Sequence, residues 1–472
     1  MLLSRIALRG TASSKLEYIA PPNYRRTTPP HEARNIIQEE FMPEADRTGT
    51  GPRLADYLSI RDMVLTLETP QDKIDFVNPY ERQWNRIEKT WHRSWHPALY
   101  ATRKAWNLPL VPKYFDCQNY YQYITKMRLI NDKESFDQLF KGLNLPTKAF
   151  GLKLEENLVS HLFTESSDSP KERTDKLLRS IMYDCHNFLG ARNNKYGDLR
   201  VSMSPRSESF WVRGGFKHLY DWMPIWADKP ISNLRYAPKF TGDDRRKLGE
   251  LAFTMRDEFA VHLRQKTSPN PLFKLDDQAA QRPIFSEDTS IEDVVYSPRV
   301  FNLWPDGDPL WQCPGYESDC NETHKYGRVA FKNTITVNDQ LDKWNLDGEV
   351  EKETYNCIAI SSLFNWLNGQ AHCQGYTQYT DLDRPFVSNL VMSDGVQFAF
   401  ATAQLNTLAI NVDLPEFVND RSNVCYVDGP YKLYDEFDDQ TTTFYHHDKD
   451  GKKQKGLNSE VLNRILQLVV KD

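Results

Sequence analysis

The chain has 472 residues, 39% of them apolar and 26% charged. This composition excludes a disordered polymer, and its greasiest run, Ile465 to Val470, falls far below the roughly 18 apolar residues of a membrane span. A net charge of -6 excludes a surface basic all over, so any nucleic-acid contact has to be local. The seven cysteines are scattered and odd in number, which fits reduced thiols in a reducing compartment.

The first fifteen residues carry Arg5, Arg9 and Lys15, with no acid before Glu17. On a helix Arg5 and Arg9 stack at i, i+4 while Leu2, Leu3, Ile6 and Ala7 gather on other sides, the make-up of a mitochondrial transit peptide. Residues 1–20 are assigned to it, with cleavage near Pro21-Pro22. Residues 21–77, rich in Pro, Arg and Thr, read as an extended arm, because proline fixes φ and removes a donor.

Residues 78–190 read as mainly helical. Asn78-Pro79-Tyr80-Glu81 supplies an N-cap, a proline at the first helical position and an early acid, for a helix running to about His96. Tyr80, Trp84, Ile87, Trp91 and Trp95 share one face, and Arg82, Arg86, Lys89 and Arg93 the opposite one. A second helix over Ala98–Trp106 adds Arg103 and Lys104, and Lys113 follows. These seven cations are the candidate RNA contacts, able to neutralise phosphates without reading bases. The alternative is a solvated stripe over an aromatic contact. Ser135–Phe150 and Asp168–Leu189 read as helical, separated by the Ser166–Pro170 loop.

Residues 191–472 read as a mixed domain, which makes the fold class α+β. Arg235, Lys239, Arg245, Arg246 and Lys247 form a second basic cluster, and Pro269–Asp308 is loop-rich. Tyr355–Ala371 reads as a mostly buried helix. Pro385–Met392 and Val396–Thr402 read as strands joined by Ser393-Asp394-Gly395. Asp413–Asp450 reads as an acidic loop that RNA would repel. Ser459 is expected to cap a final helix bearing Val461, Leu462, Ile465, Leu466 and Val469.

No chemical motif emerges. Gly214-Gly215 lacks a phosphate-cradle spacing, and neither His-Glu-x-x-His nor Cys-x-x-Cys occurs. Cys313, Cys320 and His324, with Cys373 and His372, lack the paired spacing of a zinc site. Cys357 or Cys373 with His372 makes a poor nucleophile pair, and Asp381 and Asp383 read as turn formers. The expectation is no catalytic residue, no metal, no cofactor and no small-molecule substrate.

Ile358–Tyr376, Arg384-Pro-Phe-Val-Ser388, the Ser393-Asp394-Gly395 turn and Gln404-Leu-Asn-Thr-Leu-Ala409 together resemble a known family. It is the mitochondrial ribosomal proteins long filed as small-subunit protein thirty, also called programmed cell death protein nine. Phe210-Trp-Val-Arg-Gly214 and the basic run to Arg246 resemble the same family's middle section, whereas residues before 191 carry little of the likeness. The resemblance implies a structural, non-catalytic component of the large mitochondrial ribosomal subunit, without cofactor. It implies contacts with large-subunit rRNA and neighbouring mitoribosomal proteins, and a heterodimer with a related large-subunit protein, number thirty-seven of its series. A matrix RNA-binding factor acting off the ribosome and a diverged matrix hydrolase are the alternatives.

Overall fold

A computed structural model describes residues 106–109, 117–143, 145–216, 251–286, 315–316, 323–346, 348–411, 419–448 and 451–471, with isolated positions in 61–73 and at 289 and 294. The transit segment, most of the arm, the Asn78–His96 helix and the Arg235–Lys247 cluster lie outside the described residues, as do all seven candidate RNA contacts.

In chain order the elements are β1 (Trp106–Leu108), α1 (Gln118–Thr125), β2 (Met127–Ile130), α2 (Lys133–Leu139), α3 (Lys148–Leu158), α4 (Pro170–Gly190), β3 (Arg200–Met203), β4 (Arg206–Arg213), β5 (Leu251–Glu258), β6 (Val261–Gln265), β7 (Gly315–Tyr316) and β8 (Tyr326–Asn333). Then come α5 (Ile335–Lys343), α6 (Glu349–Cys373), β9 (Phe386–Ser393), β10 (Gln397–Leu405), β11 (Asn423–Lys432), β12 (Glu436–Asp438), β13 (Thr443–His447), β14 (Lys453–Lys455) and α7 (Ser459–Val470). The mixture of helices and sheets is the α+β fold expected, with its buried helix and its hairpin.

A seven-stranded mixed sheet in the order β2-β11-β10-β9-β8-β6-β3 forms the centre, with a four-stranded sheet β1-β5-β4-β7 beside it and a small β12-β13-β14 meander apart. The parallel β8–β9 pair requires a crossover, and α5 and α6 supply it. Only Phe259 and Ala260 separate β5 in one sheet from β6 in the other. The early segment belongs to both sheets: β1 pairs in parallel with β5, and β2 with β11.

Side chains of a strand alternate between faces, and β10 uses both. Ala399, Ala401, Ala403 and Leu405 enter one core with α1, α6 and the four-stranded sheet. Phe398 and Phe400 enter a second core with α2, α3, α4 and α7. Small residues face α6, which therefore packs close, and aromatics fill the space under the outer helices.

Local signals set the helix starts. Ser169 and Glu172 form a reciprocal capping box with Pro170 in the first turn of α4. Asp132 accepts from the backbone N–H groups of Glu134 and Ser135 to start α2. In the β9–β10 turn Asp394 Oδ1 accepts from Val396 N at 2.8 Å and Gln397 N at 2.7 Å. Gly395 there has φ +100°, and an added Cβ would meet Leu162 at 2.9 Å, so glycine answers two demands.

Three expectations are corrected. Trp106 opens strand β1 rather than ending a helix, because Phe253 offers it a parallel partner in the four-stranded sheet. The cap of the last helix is Asn458, whose side chain accepts from Glu460 N at 3.0 Å, one residue before Ser459. The acidic stretch is not a plain loop. It contains β11, which fills an interior place in the main sheet, and β12 and β13, which β14 joins from just beyond it; there Glu436 pairs with Lys453 and Asp435 with Lys432 and His447.

Candidate functional site

The densest polar constellation among the described residues surrounds α6. Every residue from Thr354 to His372 is buried, so this stretch of the helix has no solvent face and its polar side chains need partners from the layers around it. Asn365 donates to Ser207 O at 3.0 Å and Ser207 Oγ at 3.1 Å, and accepts from Ser209 Oγ at 2.6 Å, which ties α6 to β4. On the opposite side Gln370 accepts from Gly327 N at 2.6 Å and donates to Ser388 Oγ at 3.2 Å, and Ser388 donates to Gly327 O at 2.9 Å. Trp366 lies over the same glycine, where an added Cβ would meet its ring at 2.3 Å. His262 stacks on Trp366 with ring centroids 5.3 Å apart.

Buried charges hold layers in the same way. Lys332 of β8 pairs with Asp257 of β5, across the two sheets. Arg464 of α7 reaches Asp428 of β11 at 2.9 Å. Arg328 donates to Val469 O and Val470 O, both at 2.6 Å, meeting the carbonyl end of α7 with a cation. Arg213 bonds Tyr123 O at 2.8 Å and Ile410 O at 3.0 Å. These guanidinium groups serve the fold and are closed to phosphate.

The structure does not bring the conceivable hydrolase residues together. Cys357 and His372 share α6 but stand fifteen positions apart, about 22 Å along a helix. His372 Nδ1 is engaged with Asn368 O at 2.9 Å, and burial pulls its pKa down to about 4, which keeps the ring neutral. Asp383 accepts from Tyr376 OH, whose pKa is pushed up to about 12 by burial and then by that bond. Asp381 ties separate segments together instead of forming a turn, accepting from Leu382 N at 2.9 Å and Leu408 N at 3.1 Å and pairing with Arg421 at 3.3 Å. His446 and His447 sit on β13: His446 bonds Gly456 O at 2.9 Å, and His447 lies 3.1 Å from Asp435. His324 lies 2.9 Å from Asp198 O, while Cys313 and Cys320 are outside the described residues.

One cluster escapes sequence reading. Cys117, at the start of α1, meets Cys357 of α6 with sulfurs 3.7 Å apart, across 240 residues of chain. Glu353, one turn before Cys357, accepts from Gln118 N at 3.1 Å, and its carboxylate lies within 4.8 Å of both sulfurs. Burial pushes the Cys357 thiol well up, and the bond with Cys117 adds to the shift. The only local signal was Glu-x-x-x-Cys at i, i+4. Its third member could not be found by spacing.

The fold and these contacts define a mixed α+β protein whose buried polar groups lock one layer onto the next. Over residues 4–472 the chain matches the family described as mitochondrial 28S ribosomal protein S30 (PDCD9), and it belongs to that family. It is a mitochondrial ribosomal protein of the matrix. The match extends through the N-terminal region, where individual residues carried little resemblance.

Proposed function

We propose that this chain is a structural constituent of the large mitochondrial ribosomal subunit, without catalytic role, that contacts rRNA and neighbouring proteins. The family match over residues 4–472 carries the reading. The family's description bears the small-subunit label, 28S, whereas the resemblance in Ile358–Tyr376 and Arg384–Ala409 implies the large subunit. Residues 1–20 direct import and are removed, the 21–77 arm reaches across neighbours, and the 78–190 and 191–472 regions form the body. A related large-subunit protein is its heterodimer partner.

Arg82, Arg86, Lys89, Arg93, Arg103, Lys104 and Lys113 supply the RNA contact. This local cationic stripe gives a chain of net charge -6 a place to meet phosphate. The test is recovery of RNA with the tagged chain from mitochondrial lysate. Large-subunit rRNA is expected to dominate. Replacing Arg82, Arg86, Lys89 and Arg93 together by Glu is expected to reduce that recovery, most at raised salt. Unchanged recovery returns the stripe to a solvated face, and enrichment of small-subunit rRNA or of messenger RNA contradicts the subunit assignment.

A further inference from the structure

We propose that Cys117, Cys357 and Glu353 form a zinc site that staples α1 to α6, with water as the fourth ligand. Two thiolates at about 2.3 Å from a tetrahedral zinc stand about 3.8 Å apart. The observed sulfur separation is 3.7 Å, far beyond the roughly 2.05 Å of a disulfide bond. Glu353 and Cys357 are four residues apart on α6 and so project from one helix face. Cys117 arrives from the start of α1, the Gln118 N–H orients the Glu353 carboxylate, and a carboxylate oxygen of Glu353 lies within 4.8 Å of both sulfurs. Two soft thiolates with one carboxylate suit zinc better than calcium or magnesium.

A second observation lies next to the cluster. Glu353 also lines a surface cavity of about 340 Å³, together with Gln118, Asn119 and Asn356. Asn356 is 2% exposed, and its Nδ2 donates to Gln118 Oε1 at 2.7 Å, yet its Oδ1 has no hydrogen-bond partner. A zinc-bound water in this cavity would donate to that oxygen and complete the coordination. Binding displaces one proton from each thiol. It leaves a net charge of -1 on the zinc, two thiolates and carboxylate, in place of two neutral thiols beside a half-buried acid.

The experiment is a cobalt titration of the full-length chain, stripped with chelator under reductant. Thiolate-to-cobalt charge-transfer absorption is expected to saturate at one equivalent and to bleach when zinc is added. Cys117→Ser and Cys357→Ser are each expected to abolish it. Glu353→Gln, which preserves shape, is expected to weaken cobalt binding at least tenfold, whereas Cys185→Ala, in the other core, leaves it unchanged. Absence of the band in the reduced wild-type chain overturns the proposal without recourse to any variant. A band that survives both serine substitutions overturns it too, as does a Cys117–Cys357 disulfide in chain isolated from mitochondria under thiol-blocking conditions.

Discussion

Helices α6 and α7 cover opposite faces of the same seven-stranded sheet, yet they are held in different ways. α7 buries Val461, Leu462, Ile465, Leu466, Leu468 and Val469, and is fastened at its ends by the Asn458 cap and by Arg328 and midway by two polar clamps, Arg464 to Asp428 and Gln467 to Leu143 O. From Thr354 to His372 α6 is enclosed all round, with Trp366, Phe364 and Ile360 beside Asn365, Asn368 and Gln370, and each of those three amides bonds the backbone or a hydroxyl of a neighbouring strand. An amphipathic helix is positioned by its apolar stripe with a few polar clamps. An enclosed helix needs a polar partner at every turn, and those partners fix its rotation and height.

If that contrast is right, damage should be greatest in the enclosed helix. Trp366→Ala removes the ring that packs on Phe259, His262 and Gly327, and should cost about 3–5 kcal/mol in urea denaturation of the purified chain. A loss below 1 kcal/mol would mean that the site is not close-packed. Gly327→Ala forces a methyl into Trp366 and the Gln370 amide, both 2.7 Å or less away. The expected loss is about 1–3 kcal/mol, and pairing it with Trp366→Leu should recover part of it.

The buried histidines sharpen the contrast by pH. His372, with a pKa near 4, and His262, lowered by burial and then by Arg264, are both kept neutral in the folded chain. As pH falls below about 6.5, the unfolded chain takes up protons that these rings refuse. Their contribution is therefore complete above that value and is lost as pH falls, for His372 toward 4, by at most about 1.4 kcal/mol per pH unit for each group. The His372→Gln variant should show a shallower fall between pH 6.5 and 4 in the same denaturation series. An unchanged slope would assign the proton uptake elsewhere. At α7, Asn458→Ala should cost only about 1 kcal/mol, visible as a small fall in the urea midpoint with the slope unaltered.

What could be read in advance follows the same division. The α7 stripe and the Asp394-Gly395 turn are local patterns, and each appears where spacing put it, apart from the one-residue shift of the last cap; the Ser166–Pro170 loop also lies where expected, though Ser169 turns out to cap α4 with Glu172. The apolar residues of α6 announced a buried helix. The purposes of Asn365 and Gln370 did not show, because Ser207 and Gly327 stand 158 and 43 residues away in sequence. In the acidic stretch, charge masked Asn423-Val-Cys-Tyr-Val427, an apolar run long enough for an interior strand. Trp106 looked helical among its neighbours because a parallel partner far along the chain leaves no local mark. The Cys117–Cys357 pair was hidden for the same reason, its members standing 240 residues apart.

The central claim is that this protein works by residence in the large mitochondrial ribosomal subunit. It is tested most directly by sedimenting mitochondrial lysate through a sucrose gradient after the subunits have been separated by magnesium depletion, and probing each fraction for the chain. The account predicts that the chain travels with the large-subunit rRNA and remains there at moderate salt. Recovery with the small-subunit rRNA, or at the top of the gradient as free protein, would contradict it.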